Sequence, residues 1–442
     1  MRYEQIPNSL FIKNRKNFVS KMKPNTIAIL TSNDVKHNNA DDVMGFTQNN
    51  DLFYLSGIDQ EDSILVLYPD AYKKNNKAIL FVKETNEHIK IWDGEKLTKE
   101  QATAISGIER VEWLQDFETL LQYMAFEADT FYLGHNEHKK TLTAEMNTQQ
   151  DRMISWCKKR YPLHDYKRAA KITREIRQIK SEEEIGLMQK AADISVGSFK
   201  RVLKAVKPGM LEYELEAELT FELLKNGAKR HAFMPIVASG KNACALHYNT
   251  NDAICEDGDM VLMDFGVCYA NYNSDTTRCF PVNGKFTDEQ KAIYQIVLDA
   301  QEAAIKVATV GHHWNEPHEV SVTVITQGLL DLGLLSGELE TLISEMAYKR
   351  FYMHRIGHWL GMDVHDVGDY KIEGEWRALE PNMVMTVEPG IYISPDDETV
   401  AKKWRGIGVR IEDDVLITKG GNDVLSKDVP KTIADIEALM AR

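Results

Sequence analysis

From residue 171 onward this chain reads as one pattern of elements written twice, and that repeat constrains its fold more than any other feature. Ser181 and Glu184 form a capping box, S-x-x-E, that opens a helix. Ile185, Met188, Ala192 and Ser195 recur in it at helical spacing until Lys207-Pro208-Gly209 stops the run. An amphipathic segment, LEYELEAELTFELLKNG, comes next, and strand-like runs follow it. The order then starts again. Thr287 and Gln290 make a second capping box, the helix they open breaks at Val310-Gly311, and HEVSVTVITQGLLDLG supplies the second amphipathic helix. The strand-like VMTVEPGIYI and GVRIEDDVLIT close the repeat. A period carried by elements rather than by sequence identity predicts two halves that share one centre.

The first part of the chain has a different grain. AIL (28–30), SILVLYP (63–69), KAILFVK (77–83) and TFYLG (130–134) read as strands of an α/β unit. The stretch 147–165 runs through a helix into a Pro-bearing connection. At 442 residues the chain is too long for one ordinary core. We therefore expect an α/β domain over 1–170 and a second, α+β domain over 171–442.

Bulk properties exclude several functions. Lys and Arg number 53 against 67 Asp and Glu, a net charge of −14, and no dense basic block offsets it. Such a surface repels phosphate backbones, so nucleic acid is not an expected partner. No apolar run approaches the roughly 18–20 residues that span a bilayer, and MRYEQIPNSLFIKNR lacks the apolar stretch of a secretory signal. Five cysteines, odd in number and without C-x-x-C spacing, argue against a disulfide framework or a thiolate zinc site. The expected setting is the cytoplasm.

Five residues stand out in the second half: Asp264 in LMDFG, Asp275 in NSDTT, His358 in IGHWLG, Glu388 in TVEPG and Glu412 in RIEDD. Residues 259–281 read as two antiparallel strands around ANYNS. A hairpin centred between Tyr269 and Ala270 would set Asp264 opposite Asp275, an arrangement of like charges that only a cation makes favourable. Glu388 precedes Pro389 and is pushed to an extended backbone. Glu412 lies among Val409, Ile411 and Val415, with Arg410 on its own face. A carboxylate in so apolar a strand is paired or binds a metal. His354, His358 and His365 fall within twelve residues interleaved with Gly and Trp, and the zincin pattern H-E-x-x-H is absent because Arg355 stands where Glu would be. Four carboxylates and one imidazole make a hard, oxygen-rich set suited to Mn, Co or Fe(II). Their charge balances two divalent ions, which together lower the pKa of a shared water from 15.7 towards about 7.

With these residues in view the chain closely resembles the Xaa-Pro aminopeptidases (aminopeptidase P) of the pita-bread metallopeptidases. NNDLFYLSGID, IKSEEEI, LHYNTND, RCFPVNGKFT, HRIGHWLGMDVHDVG, TVEPGIYI and RGIGVRIEDDVLIT carry the likeness, in that family's order and over nearly the whole chain. The resemblance implies a pita-bread fold with a pseudo-two-fold repeat behind a smaller N-terminal α/β domain. It implies that Asp264 binds one metal through both oxygens, that Asp275 and Glu412 bridge two metals, and that His358 and Glu388 complete the ligands of the other metal. Glu388 would also carry the proton of the bridging water. His247, His354 and His365 would surround the substrate, and Arg410 would hold the carboxylates in place. The implied ions are two Mn2+, with Co2+ or Zn2+ as alternatives. The implied substrates are peptides with Xaa-Pro at the N-terminus, and the implied assembly is a homodimer or homotetramer. An Xaa-Pro dipeptidase is the nearest rival, and a non-catalytic binding protein on the same fold is a rival of another class.

Overall fold

A computed structural model of the chain describes residues 3–138 and 147–441. It divides into two compact units, Tyr3–Arg177 and Gln178–Arg442.

The first unit is built on β1 (Thr26–Thr31), β2 (Ile64–Leu67), β3 (Ala78–Val82), β4 (Val111–Trp113), β5 (Thr130–Leu133) and β6 (Asp165–Arg168). They form a mixed sheet in the order β4-β3-β2-β1-β5-β6. Every residue of β1, β2 and β5 is buried. Strands covered on both faces read as continuous apolar runs and not as alternation, which is why the four runs are visible in the sequence. Ile29, Val66, Phe81 and Phe131 share one core with Phe117 and Leu121 of the helix Phe117–Ala125. The helix Ala170–Gln178 sits with this unit: Thr173 donates to Asp51 at 2.9 Å, and Arg177 meets the same carboxylate at 2.8 Å.

The second unit has the expected doubled order. The helices Glu182–Ala205 and Glu212–Lys225 lead into β7 (Arg230–His231), β8 (Ile236–Ser239), β9 (Met260–Phe265), β10 (Val267–Tyr269), β11 (Tyr272–Asn273) and β12 (Thr276–Pro281). The helices Asp288–Val307 and Glu316–Asp331 lead through a short hairpin, β13 (Lys371–Ile372) and β14 (Glu375–Trp376), into β15 (Val384–Val387), β16 (Gly390–Tyr392), β17 (Gly408–Arg410), β18 (Asp413–Thr418) and β19 (Gly421–Val424). Both expected capping boxes are present, at Ser181/Glu184 and at Thr287/Gln290. The first half holds two antiparallel three-stranded sheets, β11-β10-β7 and β12-β9-β8, and the second holds β15-β18-β19. One core unites the halves, with Phe199, Leu219, Met263, Val297, Ile325, Val409 and Ile411 among its members.

One register differs from the sequence reading. The hairpin turns at Ala270-Asn271, both left-handed with φ of 51° and 63°, and Tyr269 pairs with Tyr272. A two-residue turn with positive φ at both positions follows the right-handed twist of its strands. Its centre lies one residue later than expected, so Asp264 faces Thr277 and not Asp275. The two aspartates become diagonal neighbours on one face, still within reach of a common ligand.

Candidate metal centre

The strands break where the ligands stand. Between β11 and β12, Ser274 bonds back to Val267, its amide to Val267 O at 3.0 Å and its hydroxyl accepting from Val267 N at 3.1 Å. The amide of Asp275 leaves the ladder and donates to the Asp414 carboxylate at 3.1 and 3.2 Å. In the other half, Val387 pairs with Asp413 and Gly390 with Arg410. Continuing that register sets Glu388 directly opposite Glu412, at the interruption that Pro389 makes. The amide of Glu412 then crosses to Thr277 O at 3.1 Å, and Thr277 Oγ1 donates to Glu412 Oε2 at 2.6 Å. These bonds stitch the two acidic strand pairs together.

His358 comes from a segment that runs against β15 as an extra strand. Its amide donates to Thr386 Oγ1 at 3.1 Å, Thr386 N returns a bond to its carbonyl at 2.9 Å, and Trp359 bridges Met385. Gly357 is required there, because a Cβ would lie 2.0 Å from Thr386 O. His358 Nδ1 sits 3.0 Å from the carbonyl of Trp359. A carbonyl only accepts, so Nδ1 carries the hydrogen and Nε2 is turned to the carboxylates. It stands 3.4 Å from Asp275 and 3.7 Å from Glu388.

Asp275, His358 and Glu412 each offer a ligand atom within 4.8 Å of the others, and all three are buried. Oδ1 of Asp264 and Oδ1 of Asp275 are buried with no hydrogen-bond partner. Buried carboxylate oxygens left unbonded are costly, and a lone pair aimed at carboxylates repels them unless a cation lies between. The donor set, oxygen with one imidazole nitrogen, fits hard or borderline divalent ions.

The electrostatics agree. Burial, then Asp264, Asp414 and Glu388, raise the Asp275 carboxyl well above the usual range, against the pull of Arg410. Burial, then Asp275, Glu388 and Asp264, do the same to Glu412. Arg410 supplies the positive charge on the protein side. Burial works to lower its guanidinium, but Tyr392, Asp264, Glu388 and Glu412 together raise it well above its ordinary value. It donates to Asp264 at 2.6 Å, to Thr277 Oγ1 at 3.2 Å and to the Tyr392 hydroxyl at 2.9 Å.

The remaining histidines occupy distinct places. His354 contacts the Tyr392 hydroxyl at 2.9 Å and the Arg355 carbonyl at 2.8 Å, with Glu388 at 3.9 Å. Burial, then Arg410, lowers it to about 4, so it is neutral at physiological pH. With Nδ1–H donating to Arg355, Nε2 accepts from Tyr392, whose oxygen accepts from Arg410. His365 is exposed, its ring 4.1 Å from that of His358. His247 is also exposed, on the segment after the short helix Gly240–Cys244, and its charge bears on His354. Thr277, Tyr392, Asp414 and Arg278 were not singled out from sequence. The signal for Arg278 and Asp414 was present, in charged residues inside the apolar strands TTRCFP and DDVLIT.

Two strand pairs converging on buried carboxylates and one histidine define a metallohydrolase-like centre. Residues 186–419 match metallopeptidase family M24, and residues 11–133 match the aminopeptidase P N-terminal domain. The chain is 38% identical over 438 residues to a Xaa-Pro aminopeptidase of Haemophilus influenzae, covering 99% of this chain and 98% of that protein. It is 35% identical to a Xaa-Pro aminopeptidase of Escherichia coli, over 99% of this chain and 98% of that one. The solved structure of the Pseudomonas aeruginosa aminopeptidase PepP superposes with a TM-score of 0.92 at 43% identity, covering 99% of this chain and 98% of that one. A zinc-substituted E. coli aminopeptidase P in complex with product gives 0.89 at 35%, over 99% of both chains. This chain belongs to metallopeptidase family M24, with an N-terminal unit of the aminopeptidase P type.

Proposed function

We propose that the protein is a two-metal aminopeptidase that releases the N-terminal residue from peptides with proline second. The observation that carries this is the buried convergence of Asp275, His358 and Glu412, with unbonded carboxylate oxygens beside them, in a chain alike along its length to Xaa-Pro aminopeptidases.

In this reading Asp264, Asp275, His358, Glu388 and Glu412 hold two divalent ions, Mn2+ before Co2+ or Zn2+ on the hardness of the donors. When bound, the ions supply Lewis acidity and a water acidic enough to ionise near neutral pH. Glu388 has the most exposed side chain among the paired ligands, 19% against 5% for Asp275. It is the carboxylate placed to take a proton from water and deliver it to the departing proline nitrogen. Arg410 keeps Asp264 oriented. His247 and His365 face the peptide and donate to the carbonyl oxygen as charge grows there. His354, whose one N–H is bonded to Arg355, lines the peptide beside Tyr392 and orients it. Proline has no N–H and a fixed φ, so its site is a wall shaped for the ring and not a hydrogen-bond acceptor. The same likeness carries a homodimer or homotetramer, and the five cysteines, all thiols and not disulfides, support a cytoplasmic setting.

The test is turnover of an Xaa-Pro-Xaa tripeptide beside the dipeptide Xaa-Pro, with Asp264→Ala and Glu412→Ala as controls. Tripeptide cleavage at the first bond is expected, lost by at least about a thousandfold in both variants. Turnover of the dipeptide alone makes the protein an Xaa-Pro dipeptidase instead.

A further inference from the structure

We infer that Glu212 is a positioning residue for the reaction, setting His247 against the peptide by holding both ends of the segment that carries it. The inference rests on the substrate-facing reading of His247. Glu212 opens the helix Glu212–Lys225, far in sequence from the five ligands, and its side chain has no solvent exposure. Oε1 accepts from Ser239 N and Ser239 Oγ, both at 2.7 Å, and from Asn242 Nδ2 at 3.2 Å. Oε2 accepts from the Tyr248 hydroxyl at 2.7 Å and from Ala253 N at 3.0 Å. Its own amide donates to Ala253 O at 2.9 Å. One carboxylate thus ties residues 239 and 242, before His247, to residues 248 and 253, after it. Asn251, left-handed at φ 49°, adds a second tie by donating to Glu216 at 2.8 Å and accepting from Val237 N at 3.0 Å. His247 is exposed between these anchors, and its neighbours Leu246 and Tyr248 pack against the core.

The chemistry of the acceptor makes a selective test. Two of the five donors are backbone N–H groups, one on each oxygen, and neither can turn to accept. Glu212→Gln therefore sets an amide N–H against Ser239 N or Ala253 N and unlatches one end of the segment, at nearly constant volume. Turnover of an Xaa-Pro-Xaa tripeptide is measured for Glu212→Gln, His247→Ala and the double variant, with bound metal and Tm recorded for each. Glu212→Gln is expected to keep its metal and to lose about tenfold to a hundredfold in kcat/KM. In the double variant the loss should be no greater than that of His247→Ala alone, because the two act through one group. Independent, multiplying losses overturn the inference, as does an unimpaired Glu212→Gln beside an impaired His247→Ala. If His247→Ala is itself unimpaired, the substrate-facing reading fails first and takes the inference with it. Tyr248→Phe removes a single donor and serves where Glu212→Gln does not fold. It should show the same non-additivity with a smaller fall, about fivefold.

Discussion

Arg278 meets Asp413 at 2.6 Å, and neither side chain reaches solvent. The guanidinium also donates to the carbonyls of Thr277, Glu412, Val429 and Pro430 at 2.5–3.1 Å. It thereby clamps the first acidic strand pair to the backbone of the last ligand. Arg278, then Lys431, hold the Asp413 carboxyl down to about 2 against the effect of burial.

Replacing that clamp should be severe. Lysine offers one compact ammonium in place of a planar fork and cannot reach five acceptors. Arg278→Lys should cost roughly 3 kcal/mol or more, the usual penalty for breaking a buried ion pair. Calorimetric unfolding checks this, and a variant as stable as the parent would show that the pair is dispensable.

The turn at Ala270-Asn271 holds an alanine at φ 51°, where its Cβ is crowded. Ala270→Gly should relieve that strain and stabilise the protein by about 1 kcal/mol, the flexibility gained by the unfolded chain taking back part of the gain. A higher Tm with unchanged activity is expected. A fall would mean that the methyl group packs more usefully than the backbone is strained.

This turn also explains what the sequence could and could not reveal. Caps and periodicity are local, so Ser181/Glu184, Thr287/Gln290 and the buried runs of β1, β2 and β5 were legible. The pairing of Asp264 was not, because Ala-Asn lacks the glycine that usually marks a two-residue hairpin turn. One residue of error moved Asp264 from Asp275 to Thr277. The second acidic pair suffered no such slip, since Pro389 fixes where its strand is interrupted. Thr277 and Tyr392 carry no local pattern at all. Thr277 joins the site only when β12 comes beside the last ligand, 135 residues away at Glu412, and Tyr392 only when β16 pairs with β17 and its hydroxyl meets Arg410.

Metal binding should stabilise the protein more at higher pH. Without a cation, Asp275 and Glu412 hold protons well above their ordinary values of 3.8 and 4.5. The folded state then binds more protons than the unfolded chain, so its stability falls as pH rises from that range. A divalent ion takes the place of those protons and releases them. The rise in Tm on adding Mn2+ to chelator-stripped protein should therefore be larger at pH 8 than at pH 5.5. Equal shifts at the two values would contradict the link between these carboxyls and the ion.

Gly357 gives a way to move His358 without touching a ligand. A methyl group there meets the Thr386 carbonyl, which β15 holds in its ladder, so the backbone of residues 356–358 must give way. Gly357→Ala should cost about 1–3 kcal/mol and weaken metal binding about tenfold or more. Denaturant unfolding of the metal-free protein reads the first outcome and metal titration followed by mass spectrometry the second, and unchanged affinity would show that His358 tolerates the displacement.

The last prediction concerns acid. His318 is buried at the start of the helix Glu316–Asp331, its ring 5.7 Å from Tyr352. Burial, then Arg355 and Lys349, lower it from 6.5 to about 4. The folded protein therefore keeps this ring neutral where the unfolded chain would protonate it. Below pH 6.5 the unfolded state binds the extra proton, so stability is lost as pH falls from 6.5 towards about 4 and is fully present above that window. The loss from such a shift is on the order of 3 kcal/mol. His354, lowered to about 4 by burial and then Arg410, contributes a second loss over the same range. His318→Phe keeps an aromatic ring against Tyr352 and removes one of these titrations, while those of His354 and the partly buried His231 remain. Its Tm should fall less steeply between pH 6.5 and 4 than that of the parent, with little difference at pH 8. Parallel profiles would show that His318 does not drive the acid sensitivity.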